Sequence, residues 1–297
     1  MLHKTVLLQE AIDGLEIQPG DVFVDGTLGG GGHTLEVVKR FGDSVKIIGI
    51  DLDTEAVERT RQRLFGIKCN ISYAQESFRN IDKVLSSVGL SKVDKILLDI
   101  GLSSNQFEDS GRGFSFQRDE SLIMSFKKDL TESDLTAREI VNTWDRENIE
   151  AILKGYGEER FAWKISKAIV ERRESKPIET TFDLVEIIKS ATPKFYHTRR
   201  IHPATKTFQA LRITVNDEIE ALKEGVKKGF EHLNTKGRLA VISFHSLEDR
   251  FVKQFFKEQE EVGRGKRITK KPIIPTEVEI EENPRSRSAK MRIIEKI

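Results

Sequence analysis

The stretch Val22-Phe23-Val24-Asp25-Gly26-Thr27-Leu28-Gly29-Gly30-Gly31-Gly32-His33 limits the folds open to this chain more than any other. The apolar triplet suits a buried parallel strand. The glycines suit a turn whose backbone comes close to a neighbour or ligand before a helix begins. Taken alone, the stretch is either a cofactor cradle or a tight strand-to-helix connection, because glycine fingerprints also occur without ligands. It lacks the Lys-Ser/Thr ending of a phosphate-binding P-loop, so triphosphate hydrolysis is not expected.

The same pattern recurs downstream. Thr34 to Phe41 reads as the helix after the glycines, and Lys46 to Ile50 as a second buried strand ending at Asp51. A helix follows from Thr54 to about Leu64, then strands over Asn70–Ala74 and Asp94–Asp99. Such alternation predicts an α/β, Rossmann-like fold with a mostly parallel sheet. Ligands of open parallel sheets sit beyond the carboxyl ends of the strands, where Asp25, Asp51 and Asp99 all fall. Asp51, about 20 residues past the glycine turn, is placed to accept ribose hydroxyls, whereas Asp53 or Thr54 is the better helix N-cap. Phe78 either lines a pocket for a nucleotide-like base or joins Ile81, Val84, Leu85 and Val88 on an apolar helix face.

Alternation stops near Asn105 and resumes near Gly237. Residues 1–104 and 207–297 are therefore expected to form the core, with 105–206 an inserted helical subdomain for substrate recognition. Its helical patterns lie near Ala137–Trp144, Arg146–Leu153, Glu158–Arg173 and Phe182–Ser190. Positive charge gathers at Arg160, Lys164, Lys167, Arg172, Arg173 and Lys176. Acidic neighbours make that group read as a solvated helix face, while His197, Arg199, Arg200 and His202 are the more suggestive RNA-facing group. From Phe208 to Leu233, apolar residues at spacings of three and four define one long amphipathic helix. A strand then ends near Ser243, and the last covers about Lys290–Ile297. Between them, Arg264 to Arg287 is either a phosphate-contacting loop or solubilising charge. The N-terminal arm, His3 to Leu7, either covers the cofactor mouth or is tied onto the sheet.

Glycine turn and ribose acid leave a dinucleotide or S-adenosylmethionine as cofactor. The loop from Asp99 to Gln106, with Gly101, Ser103 and Ser104, puts small hydrogen-bonding groups where a transferred group meets its acceptor, and favours S-adenosylmethionine. An exocyclic base amine is a poor nucleophile because its lone pair is delocalised into the ring. A carboxylate accepting its proton, here Asp99, helps aim it at a methyl group. Phe107, Phe114 and Phe116 are either a base-stacking platform or packing. His245 is read as positioning a loop or phosphate, since no nucleophile elbow accompanies it.

With 37% hydrophobic and 33% charged residues in 297, the chain has material for a sizeable core, and its formal net charge of +1 says nothing about nucleic acid without local patches. A single cysteine, Cys69, excludes an internal disulfide or a multi-cysteine zinc site, and no His and carboxylate cluster has metal-ligand spacing. No apolar run is long enough to span a membrane, and the first residues lack a signal-peptide pattern, so a cytoplasmic protein is expected.

The chain resembles the bacterial S-adenosylmethionine-dependent methyltransferases that modify N4 of a cytidine in small-subunit (16S) ribosomal RNA. The matching blocks are His3 to Leu8, Asp25 to His33, Asp99 to Ser104, Arg112 to Phe116, Tyr156 to Ala162, Thr207 to Arg212, Ser243 to Arg250 and Asn283 to Lys290. The resemblance implies a class I methyltransferase core with the insertion as a helical subdomain. It implies cofactor contacts from Gly31, Gly32, His33, Asp51, Phe78, Asp99 and Gln106, with Asp99, Ser103 and Ser104 as the catalytic candidates. The implied partner is 16S ribosomal RNA or the small ribosomal subunit, with a possible homodimer and no membrane. After Arg118-Asp119 the family usually continues Gly-Pro-Leu-Asp-Met-Arg-Met-Asp, whereas Glu120 to Lys127 here lacks two of those acids and the arginine. That departure motivates an alternative, a noncatalytic ribosome-binding factor. A nicotinamide-dependent dehydrogenase rests only on the glycines and Asp51.

Overall fold

The computed structural model describes residues 4–101, 111–198 and 201–297. Ser103, Ser104, Gln106, Phe107, Arg199 and Arg200 lie outside the described residues. Contacts divide the chain into two compact units, Met1–Leu102 with Ile219–Ile297, and Ser103–Glu218.

The first unit opens with α1 (Leu8–Leu15), β1 (Val22–Asp25), α2 (Gly32–Phe41), β2 (Lys46–Asp51) and α3 (Thr54–Arg63). It continues with β3 (Asn70–Gln75), a 3-10 turn at Phe78–Asn80, α4 (Ile81–Ser87) and β4 (Val93–Asp99). The second unit holds α5 (Ala137–Thr143), α6 (Arg146–Gly155), α7 (Ala162–Ser175), α8 (Thr181–Ala191), α9 (Lys194–His197) and α10 (Thr205–Asn216). The chain then returns through α11 (Glu218–Glu231), β5 (Leu233–Ser243), α12 (Ser246–Glu261), β6 (Gly265–Arg267), α13 (Glu277–Glu282) and β7 (Lys290–Lys296).

The seven strands form one sheet in the order β3-β2-β1-β4-β5-β7-β6. β1 to β5 are parallel to one another, and β7 runs antiparallel to both β5 and β6. The near-continuous apolar strands fit burial on both faces. Along them the side chains alternate. Val24, Ile48, Ile50, Ile96 and Leu98 meet Leu85, Leu222, Val226 and Phe256 on one face, while Phe23, Ile47, Leu97 and Ile242 meet Ile12, Leu15 and Val37 on the other. The order reverses direction at β1 and β4, which puts the crevice of an open α/β sheet at the carboxyl ends of those strands.

The second unit is helical and has its own buried residues, including Ile140, Leu153, Ile165, Ile169, Leu184, Ile188 and Leu211. Thr136 caps α5 by accepting from the Glu139 amide, and Thr180 with Asp183 forms a capping box on α8. The segment departing from the family pattern is built into this unit. Leu122 and Met124 are fully buried, Glu120 accepts from the Gly113 amide at 2.9 Å, and Asn216 bonds Met124 O and the Phe126 amide, each at 2.7 Å.

Two elements differ from the sequence reading. The single helix expected from Phe208 to Leu233 is two, because Asp217 adopts a left-handed conformation (φ 49°) that ends α10 before α11 begins. α10 consequently belongs to the helical unit, and the first unit resumes at Ile219 rather than at residue 207. β5 starts at Leu233, ahead of Gly237, with a register irregularity against β4 between Val93 and Lys95.

Candidate functional site

Strand register gathers the acids. Asp25 lies level with Gly49 on β2 and with Leu97 on β4, so Asp51 and Asp99 each stand two residues further along their own strands. Side chains repeat every two residues in a strand, which sets all three carboxylates on the same face at the crevice. Asp25 is buried and is held by the Thr34 hydroxyl at 2.7 Å and the Thr27 amide at 3.3 Å. Asp51 accepts from the amides of Gly29 at 2.8 Å and Asp53 at 2.9 Å. Asp53 itself caps α3, as its position predicted. Asp99 donates its amide to Thr27 Oγ1 at 2.7 Å and accepts from the Gly101 amide at 3.3 Å.

Burial raises all three carboxyl groups above their ordinary range. Asp99 is pushed up to about 7 by desolvation, with the Asp25 and Glu248 carboxylates adding and the Gly101 amide opposing. Asp25 rises to about 6 for the same first reason, opposed by Thr34 and Thr27. Asp51 is also raised by burial, against the amides of Asp53 and Gly29. Three desolvated acids on one face favour a ligand that brings positive charge or shareable protons.

The glycine loop makes room for the chain itself. Gly31 takes φ 71°, and a Cβ there would stand 2.6 Å from Thr60 Oγ1. A Cβ on Gly32 would collide with the Thr5 side chain. His33 is buried, its Nε2 3.2 Å from Val6 O. The N-terminal arm is thus tied onto the glycine loop, and from its other side Glu279 accepts the Leu7 amide at 2.8 Å while Asn283 donates to Lys4 O at 3.0 Å. Phe78 is half-buried against the core, and a Cβ on Gly26 would meet its Cβ at 3.4 Å. A Cβ on Gly225 would collide with the same ring.

Other expectations resolve into packing. Phe114 is buried and stacks on Phe126 at 5.7 Å, and Phe116 stacks on His202 at 4.5 Å with Phe208 at its edge, so neither ring is an open base platform. His197 Nε2 lies 2.9 Å from the Thr192 hydroxyl, and Arg173 donates to Val141 O and Trp144 O. His245 is the N-cap of α12, in a capping box with Glu248. Within the basic C-terminal segment, Arg264 and Arg267 are held by Glu231 and Glu260.

Sequence reasoning missed Thr27 and Glu248. Thr27 links Asp25 to Asp99, and Glu248 is buried and accepts from the Phe244 amide at 2.7 Å. For Thr27 the only signal was its place between Asp25 and the glycines. Glu248 gave none, since its closeness to Asp99 arises from the pairing of β4 with β5.

The sheet order with a reversed seventh strand, the glycine turn and the strand-end acids define a Rossmann-like α/β protein of the class I methyltransferase kind. The chain belongs to the MraW methylase family, whose model matches residues 1–297. It is 45% identical to the ribosomal RNA small subunit methyltransferase H of Clostridium botulinum (strain Kyoto / Type A2), over 99% of each chain. The protein of that name from Brevibacillus brevis is 41% identical over 99% of this chain and 98% of its own. A solved rRNA methylase structure from Streptococcus thermophilus aligns with 97% of this chain and 93% of its own, at 12% identity and a TM-score of 0.44. Among the described residues no helix is long and apolar enough to cross a membrane.

Proposed function

We propose that this chain transfers a methyl group from S-adenosylmethionine to N4 of a cytidine in small-subunit (16S) ribosomal RNA. The observation that carries the reading is the set of three desolvated carboxylates at the switch point of a methylase-family sheet. Relatives at 41–45% identity over the whole chain, named for small-subunit ribosomal RNA methylation, support the substrate.

The donor set suits the cofactor. Asp51, at the end of β2, has the chemistry to accept a ribose diol, and the start of α2 at Gly32 offers helix N-terminal amides to an anionic group. When bound, S-adenosylmethionine supplies a methyl group activated by a sulfonium. Asp99 accepts a proton of the cytidine amine as the nitrogen lone pair is released for in-line attack on that methyl carbon, and Thr27 fixes the Asp99 backbone. With the bonding electron pair staying on the sulfur of the bound cofactor, the amine proton would leave through Asp99 to solvent. Asp25 holds the floor of the site through Thr34 and Thr27. Gly31, Gly32, His33, Phe78 and Gln106 as further cofactor contacts, and Ser103 and Ser104 beside the reacting amine, complete the reading. The helical unit is the substrate-recognition part. A cytoplasmic location follows from a ribosomal substrate, and a homodimer is part of the same proposal, to be checked by sedimentation.

The test is mass spectrometry of nucleosides from 16S ribosomal RNA or small subunits incubated with the protein and S-adenosylmethionine. N4-methylated cytidine is expected. Protein that binds the cofactor yet leaves cytidine N4 unmodified in both substrates overturns the proposal.

A further inference from the structure

Phe114 and Phe116, two of the rings that sequence singled out as base platforms, are packed, but a different pair in the helical unit is left open. Trp163, in the first turn of α7, is 50% exposed, and Phe195, on α9, is 56% exposed. Each belongs to a run of aromatic and cationic groups. Phe195 meets Phe161 edge-on with centroids 6.3 Å apart. The Arg160 guanidinium lies 5.0 Å and the Lys164 ammonium 5.9 Å from the Phe161 centroid. The Lys167 ammonium lies 5.6 Å from the Trp163 ring.

Arg160, Lys164 and Lys167 are themselves exposed, as is Lys194 beside Phe195. The acidic residues that made this stretch read as an ordinary solvated face are only partly opposed to it. Glu159 is buried and accepts the Tyr196 hydroxyl at 2.7 Å, so it faces inward. Glu158 is exposed and Glu171 pairs with Lys167 at 3.6 Å, so the exposed cations Arg160, Lys164 and Lys194 still outnumber the one exposed acid left beside them. An apolar protein partner would be met by aliphatic surface, whereas here the open rings are flanked by cations. Ring faces with cations alongside are what unpaired nucleotides require, since bases stack on aromatic faces and phosphates are neutralised by the lysines and arginines.

We propose that the surface of α7 and α9 carrying Trp163, Phe195, Phe161, Arg160, Lys164 and Lys167 is a stacking platform for a single-stranded segment of the substrate RNA. This rests on the RNA reading above and adds where unpaired bases are held outside the strand-end site.

The test uses the full chain with 16S ribosomal RNA as methyl acceptor and a fluorescent single-stranded oligoribonucleotide as binding probe. Trp163→Ala and Phe195→Ala are each expected to weaken oligoribonucleotide binding, and to raise KM for the ribosomal RNA, by roughly 5- to 150-fold, the range for loss of one stacked base. kcat, S-adenosylmethionine affinity and melting temperature should stay at wild-type values, and Trp163→Phe should recover most of the binding. Lys164→Ala should lower the salt dependence of binding by about one counterion. A photo-crosslinking amino acid at position 163 is expected to label RNA when the protein is mixed with small subunits. Unchanged KM and binding in both alanine variants, while wild type methylates the RNA, overturn the platform and leave the function standing. Crosslinks to ribosomal protein alone overturn it in favour of a protein contact. Wild-type binding that depends on Trp163, without any methyl transfer, supports the platform and sinks the methylation reading instead.

Discussion

At the scale of single residues, the proposed chemistry turns on how far Asp99 has been moved from an ordinary carboxyl group. Partly buried at the end of β4 and facing the Asp25 and Glu248 carboxylates, its carboxyl is pushed up to about 7 by desolvation first. In the proposed mechanism only its ionised form accepts the amine proton, so methyl transfer should fall as pH is lowered through about 7. Asp99→Asn should remove that limb and lower kcat roughly 10²–10⁴-fold, the usual contribution of a positioned proton acceptor. A single-turnover pH profile of both proteins checks this, and an unchanged limb in the variant would reassign it. The same shift has a sign in stability. The folded group binds its proton more tightly than the unfolded one, whose ordinary value is 3.8. Its favourable contribution is therefore complete below about 4 and is lost as pH rises through about 7. Urea melts should find Asp99→Asn more stable relative to wild type at pH 8 than at pH 4, by on the order of 1 kcal/mol or more. Asp25, Asp51 and Asp99 were legible in the sequence because each closes an apolar run, and strand period does the rest. Thr27 and Glu248 were not, because their ties to Asp99 exist only once β4 lies between β1 and β5.

At the scale of elements, the glycine turn and the N-terminal arm behave as one piece. Gly32 has no room for a Cβ because Thr5 fills the space, and His33 reaches Val6 O. Gly32→Ala should therefore destabilise the protein by about 1–3 kcal/mol, as overpacking does, and Thr5→Gly should recover most of that loss in the double variant. Additive effects of the two changes in thermal melts would show that arm and loop are independent. On the outer side, Glu279→Ala leaves the partly buried Leu7 amide without its carboxylate, a loss of about 1 kcal/mol, and hydrogen exchange should quicken at residues 5–8 while β1 stays protected. The strands and most helices were readable because their apolar periods are strong. The break at Asp217 was not, since the spacing of apolar residues runs across it unbroken and only a left-handed backbone separates α10 from α11. β6, three residues long, has too few positions to show a period. The clasp on the arm joins residues from opposite ends of the chain, and no local pattern encodes that.

At the scale of the whole molecule, the proposed function assigns different work to the two compact units. The acids and the glycine turn all lie in Met1–Leu102, whereas Trp163 and Phe195 lie in Ser103–Glu218. The first unit is discontinuous in sequence and closes only when β5 pairs with β4 and β7 with β5. A ligand held by the strand ends stabilises the state in which those pairs exist. At 100 times its dissociation constant, S-adenosylmethionine should add about 2.7 kcal/mol, and NAD at the same concentration should add nothing. For a unit of this size that is a rise of roughly 5–10 °C in its melting temperature. Calorimetry resolves where the gain falls. With the units melting separately, the cofactor should move only the transition that also responds to Gly32→Ala and leave the other in place. A shift confined to the transition sensitive to core substitutions in α7, such as Ile165→Ala, would move the cofactor site out of the sheet and overturn the assignment of Asp51 and Asp99.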